Sequence, residues 1–220
     1  MLDWPVILSA TVSWFAVHWT EIFGFVTGAL CVWLAARRNI LNYPIGIASN
    51  VVFFVIFVGS ALYADAGLQV VYTVLGITGW LAWNRSRAVD DRTATGSTPR
   101  RVILPLVLVG LAGTGVLIFV LARFTDSTTV IADAATTMAS LVAQFMLNRR
   151  WIENWVVWAA VDVVYVGLYF YKGLWITALL YLLFIGLAVN GFRIWRKAPH
   201  QIATAERTDS EIEPGEPVRA

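Results

Sequence analysis

The segment Glu153-Asn154-Trp155-Val156-Val157-Trp158-Ala159-Ala160-Val161-Asp162 opens an apolar run that continues to Tyr171. A helix turns about 100° per residue, so Asn154, Trp158, Asp162, Tyr165 and Tyr169 fall on one face less than a quarter-turn wide. That face carries an amide, an indole, a carboxylate and phenols, while the rest of the run is mostly Val, Ala, Leu, Gly and Phe. At about 1.5 Å per residue, Asp162 lies roughly 12 Å beyond Asn154, near the middle of a ~30 Å hydrocarbon layer. A carboxylate at that depth is costly and by default marks a pathway or a site. The alternative is a structural Asp that bonds a neighbouring helix.

The whole chain shares this character. Of its 220 residues 59% are hydrophobic and 14% charged, with mean hydropathy +0.70, whereas soluble domains carry about 25% charged residues. These values describe an all-α integral membrane protein. Cys31 is the single cysteine and His18 is far from His200, which excludes a disulfide framework and argues against a metal site. No Ser-His-Asp set, Walker loop or paired-His helix is present. The expectation is therefore no enzyme, no cofactor, no ATP-driven pump and no nucleic-acid partner.

Seven spans are expected, at about 20–36, 43–61, 67–84, 102–122, 132–148, 154–171 and 173–194. Residues 1–18 have no basic n-region and read as an interfacial segment. The stretch Asp90–Pro99 is a polar loop, and 198–220 reads as a disordered tail. With the N-terminus outside, the inner loops and tail hold 14 of the 16 basic residues, leaving Arg123 and Lys172 outside. That bias sets the C-terminus in the cytoplasm.

Displacing the sequence by 112 residues aligns Glu21 with Asp133, Arg37-Arg38 with Arg149-Arg150, Asn42-Tyr43 with Asn154-Trp155, and Asn50 with Asp162. Gly79 then meets Gly191 and Trp83 meets Trp195. The repeating unit is three helices, 19–84 and 132–197, separated by the loop and linker helix of 85–131. Three spans plus one is an even number, so both copies cross the membrane in the same direction. This 3+1+3 arrangement of parallel repeats is found in transporters with a midplane site between the repeats.

Other helices carry polar stripes. Asn42, Gly46, Asn50, Phe53 and Phe57 share one face, as do Gln69, Tyr72, Gly76, Trp80 and Trp83. Asp133, Thr137, Ser140, Gln144 and Asn148 form the most polar face. Such groups either bond helix to helix or meet a ligand; for Gln144 and Gln69 the two readings balance. Aromatic residues near helix ends usually anchor at headgroups, and Trp83, Trp151 and Trp195 are expected to do so. Trp158 shares the face of Asn154 instead. Rings, amides and one acid suit a flat, partly cationic guest.

The run from Arg149 through Glu153-Asn154-Trp155, Trp158 and Asp162, then Leu168-Tyr169-Phe170-Tyr171-Lys172-Gly173-Leu174, Tyr181, Asn190-Gly191 and Trp195, resembles the PnuC family of vitamin transporters. The first repeat agrees through Asn42-Tyr43, Leu62-Tyr63, Gly67, Gln69, Gly79-Trp80 and Trp83. The resemblance covers about Trp19 to Lys197. It implies a fold similar to the sugar-SWEET architecture and uptake of nicotinamide riboside by facilitated diffusion across the bacterial inner membrane. It also implies a homotrimer in lipid and trapping of the substrate by a cytoplasmic kinase. Carried over by motif, Asn154, Trp155, Trp158, Asp162, Tyr181 and Asn190 are substrate-binding candidates in the second repeat, and Asn42, Asn50 and Gln69 in the first. The family includes thiamine, riboflavin and deoxynucleoside carriers, so these substrates remain open. So does an ion-coupled carrier that relays protons through Asp162 and Asp133.

Overall fold

The computed structural model describes residues 19, 22–59, 63–89, 95–125, 129–171, 173 and 175–212. The expected interfacial segment 1–18 and the last residues of the tail, 213–220, lie outside them. Among the described residues seven helices follow in order: α1 Ile22–Ala36, α2 Asn42–Gly59, α3 Tyr63–Val89, α4 Arg100–Phe124, α5 Val130–Asn148, α6 Asn154–Tyr171 and α7 Trp175–Ile212. All but α1 are long and apolar enough to cross a membrane. The last helix continues beyond Lys197, where composition alone suggests a disordered tail. Ala, Gln, Arg and Glu in that stretch are good helix formers, and extending a formed helix avoids the cost of nucleation.

α2 packs along α3 and α6 along α7, while α5 touches α3, α4 and α6. α4 contacts α5 and has no buried residue. Its mean hydropathy of 2.5 suits a helix bathed in lipid.

The arginine-bearing ends of the helices are built twice to one plan. α1 ends as Arg38 takes φ 57° and α5 ends as Arg150 takes φ 59°. The N–H of Arg38 donates to Ala35 O and that of Asn39 to Leu34 O, and 112 residues later Arg150 donates to Leu147 O and Trp151 to Met146 O. This is the left-handed helix stop usually made by glycine. Each turn leads into a helix whose first residue folds its amide back: Asn42 Nδ2 donates to Asn39 O at 2.7 Å and Asn154 Nδ2 to Trp151 O at 2.5 Å.

The core sits at this same end. Ala35, Ala36, Tyr43, Trp83, Leu147, Trp155, Ala188 and Trp195 form one buried cluster. Trp83 is 1% exposed and Trp195 0%, which corrects their expected role as headgroup anchors. Each indole finds a helix-ending carbonyl to receive its N–H, so both rings can be buried whole. Gly79 and Gly191 permit the packing: a Cβ at Gly79 would lie 2.5 Å from the Tyr43 ring, and one at Gly191 2.7 Å from the Trp155 ring.

Residues 95–99, within the stretch expected as a loop, strap this end. Gly96 forms a parallel bridge with Trp151, its N–H donating to Arg150 O while Ile152 N–H donates to Gly96 O. Thr98 donates to Glu153 Oε2 from its N–H and its hydroxyl, each at 2.8 Å, and Thr95 Oγ1 donates to Trp195 O at 2.9 Å.

Candidate functional site

A cavity of about 390 Å³ opens directly above the aromatic core, between α1–α3 on one side and α5–α7 on the other. Its floor is Ala35, Tyr43, Leu147, Trp155 and Ala188, all members of that core. The size falls within the range of small-molecule sites, roughly 300–1,000 Å³.

The cavity brings together Asn42, Asn50, Gln144, Trp155, Trp158, Asp162 and Tyr181 from four helices. Asn42 and Asn50 come from α2, Gln144 from α5, Trp155, Trp158 and Asp162 from α6, and Tyr181 from α7. Asp162 is 6% exposed, and no hydrogen bond or ion pair reaches its carboxylate from the described residues. It is therefore not the structural Asp bonded to a neighbouring helix that the sequence left open. A buried, unpaired carboxylate beside aromatic faces is a demand for a cation or for hydroxyl donors.

Three expected site residues do not reach the cavity lining. Asn154 is 0% exposed, and its amide is turned back onto Trp151 O as part of the turn that starts α6. Its Oδ1 is buried without a hydrogen-bond partner among the described residues. Gln69 shares the face of Tyr72 and Gly76, which do line the cavity, but lies one turn beyond it. Asn190 is exposed on α7, on a different face from Tyr181, Phe184 and Ala188. Asp133 also stands outside the lining. It lies in the first turn of α5, where Thr129 Oγ1 donates to its Oδ2 at 3.1 Å.

The lining also includes residues beyond the ten candidates: Cys31, Tyr72, Ser140, Tyr165 and Phe184. For Ser140 both helix bonding and ligand contact are open from sequence, and Tyr72 and Tyr165 share faces with residues that line the cavity. Cys31 gave no signal, being a small residue in an apolar run. Its thiol donates to Asn42 O at 3.6 Å. Above Asp162 the α6 and α7 rings stack into a ladder. Tyr181 lies 4.7 Å from Tyr165 and 5.3 Å from Tyr169, the latter pair only 10° from parallel. Phe184 meets Tyr181 edge-on at 5.7 Å. A face of stacked phenols lets a flat ring slide while still offering hydroxyls. Among the described residues no cluster of His, Cys, Asp or Glu could hold a metal ion.

A model of the nicotinamide mononucleotide transporter family matches residues 18–197. The nicotinamide riboside transporter PnuC of Escherichia coli strain K12 is 26% identical over 204 residues, covering 81% of this chain and 85% of that protein. The riboflavin/roseoflavin transporter RibM of Streptomyces davaonensis is 27% identical over 185 residues, covering 81% and 85%. A crystal structure of the vitamin B3 transporter PnuC shares the fold with TM-score 0.65 at 24% identity, over 90% of this chain and 91% of that one.

Proposed function

The chain belongs to the nicotinamide mononucleotide transporter family, and from that premise we propose that it carries nicotinamide riboside inward by facilitated diffusion. It is a membrane transporter and not an enzyme. The observation that carries the choice of substrate is Asp162, a buried acid without a protein partner, in a cavity walled by indoles and phenols. Nicotinamide riboside is a flat pyridinium cation with a carboxamide and a sugar. Trp155 and Trp158 offer ring faces to the pyridinium, Asp162 balances its charge or takes ribose hydroxyls, and Asn42, Asn50, Gln144 and Tyr181 supply hydrogen bonds. Asn154 acts through the turn that its amide nitrogen braces.

We read α1–α3 and α5–α7 as two parallel three-helix repeats with α4 between them, in a sugar-SWEET-like arrangement. The duplicated turns and tryptophan contacts support this. The basic residues support an outside N-terminus and an inside C-terminus in the bacterial inner membrane. A homotrimer, and a cytoplasmic kinase that traps the product, are the expected partners. Without an ATP-binding motif the chain equilibrates its substrate, and net uptake follows from that trapping.

The likeness to RibM favours riboflavin as a second reading. A cavity of about 390 Å³ takes one ring and a sugar with less rearrangement than three fused rings and a ribityl chain. Calorimetric titration with nicotinamide riboside, riboflavin, thiamine and thymidine separates these substrates. Counterflow in liposomes tests the transport mode. Exchange of labelled nicotinamide riboside without any ion gradient is expected. Accumulation of free substrate driven by a proton or sodium gradient would overturn passive transport.

A further inference from the structure

Asn148, the last residue of α5, joins α5 to both α2 and α3. Its Nδ2 donates to Leu75 O at 2.8 Å, and its Oδ1 accepts from the Tyr43 hydroxyl and from Gln144 Nε2, each at 3.2 Å. Its backbone carbonyl accepts from Trp83 Nε1 at 3.2 Å. Gly79 makes the approach possible, because a Cβ there would collide with the Asn148 amide as well as the Tyr43 ring. The matching residue in the first half, 112 positions earlier, is Ala36, so only one side of the molecule has this junction.

The polarity of the network is set at one end. A backbone carbonyl can only accept, so Asn148 must turn its nitrogen toward Leu75. Its oxygen then faces Tyr43 and Gln144, and both must donate to it. Gln144 therefore gives one of its two N–H groups to Asn148, which fixes the orientation of its amide. Its carbonyl oxygen, unbonded among the described residues, is left as an acceptor in the cavity wall.

We propose that Asn148 is a positioning residue that fixes Gln144 as an acceptor, so that the cavity selects a ligand presenting a hydrogen-bond donor. A primary carboxamide meets that demand. The same ligand bearing a carboxylate has no donor and repels the acceptor. This inference rests on the reading of the cavity as a pyridine riboside site.

The test is titration of the full chain in detergent with nicotinamide riboside and with nicotinic acid riboside. The parent should favour the carboxamide by about 10- to 100-fold, since mispairing a built hydrogen-bond site is expensive. A parent that binds the carboxylate equally well or better overturns the inference. Asn148→Ala installs the residue found at the matching position of the first half, and Asn148→Leu keeps the branched side-chain shape if the Ala variant does not fold. Either frees Gln144 to rotate its amide, and the preference should fall to about 3-fold or less. A purely structural Asn148 would weaken both ligands alike, and an unchanged ratio overturns the positioning role. A parent that binds neither riboside but binds riboflavin overturns the substrate reading instead. The comparison is then made between riboflavin and its N3-methyl derivative, which lacks the imide donor, and equal binding of those two by the parent overturns the positioning role.

Discussion

Trp83 and Trp195 lie with ring centroids 6.1 Å apart, and each donates its indole N–H to the end of the first helix in the opposite half. Trp83 Nε1 reaches Asn148 O at 3.2 Å, and Trp195 Nε1 reaches Ala35 O and Ala36 O at 3.1 Å. Trp83 and Trp195 differ by 112 in number, and so do Ala36 and Asn148. The exchange is therefore reciprocal, which fits the two-fold relation between halves proposed above. It ties α3 to α5 and α7 to α1 at the arginine-bearing end, directly beneath the cavity.

Removing this tie should damage the fold and not the ligand contacts. Trp195→Ala deletes a fully buried ring and is expected to destabilise by about 3–5 kcal/mol. Thermal unfolding in detergent reads this as a large drop in Tm, with Trp83→Ala similar. Ligand affinity per folded molecule should change little, because neither ring lines the cavity. A Trp195→Ala protein as stable as the parent would remove the tie from the account.

Much of this was legible in the sequence, for definite reasons. Seven apolar runs separated by charged breaks predict the helices, and one-turn spacing predicts that Trp158 and Asp162 share a face. What spacing cannot supply is which helix a face meets and how deep the cavity reaches. Gln69 has the right face and the wrong height. Asn154 has the right height, but its amide finds a backbone carbonyl before it finds the cavity. Trp83 and Trp195 look like headgroup anchors because they sit near helix ends. Their burial depends on carbonyls supplied by helices far away in the chain, which no local pattern records. The repeat was the strongest long-range signal, since the same offset that aligns Trp83 with Trp195 also aligns their acceptors.

Topology is open to a direct check. Ser97 is exposed in the strap across the arginine-bearing end. In a Cys31→Ser background, Ser97→Cys should react with an impermeant maleimide only after the membrane is opened or inverted. Labelling from outside intact cells would reverse the proposed orientation of the whole molecule.

Glu153 makes the strap pH-dependent. Burial acts to raise its pKa, but hydrogen bonds from the Thr98 N–H, its own amide, the Thr98 hydroxyl and Ser97 outweigh that and hold it below the usual carboxylate value. A depressed folded pKa means the contribution is complete above the unfolded value of about 4.3 and is lost as pH falls through the folded one. Hydrogen exchange at residues 95–99, corrected for intrinsic rates, should accelerate on acidification below about pH 4. Glu153→Gln should raise exchange at neutral pH and flatten the dependence. Equal protection in parent and variant at pH 7 would leave the carboxylate without a role in holding the strap.

Trp158 is expected to contribute a stacking surface. Loss of an aromatic platform costs about 1–3 kcal/mol at base-stacking sites. Trp158→Ala should therefore weaken nicotinamide riboside binding roughly 5- to 150-fold with little change in Tm. Trp158→Phe keeps a ring face and should lose less. Calorimetry on the parent and both variants decides; full affinity in the Ala variant would move the stacking role to Trp155 or the Tyr165–Tyr181 ladder.

Asp162 gives the sharpest test of what the cavity recognises, because charge can be changed on either side of the contact. Asp162→Asn preserves shape while removing the negative charge, keeping one acceptor oxygen and replacing the other with an NH2 donor. If the acid balances a pyridinium in a site shielded from water, the variant should bind nicotinamide riboside about 10- to 100-fold more weakly. The reduced dihydropyridine riboside is neutral, and its affinity should be nearly the same for parent and variant. The double comparison isolates the charge interaction from any general loosening of α6, which would weaken both ligands together. If the acid instead takes ribose hydroxyls, which the two ligands share, both should weaken by a similar factor. Equal losses for the cation and its neutral form would therefore assign Asp162 to the sugar and leave the aromatic faces to hold the positive charge.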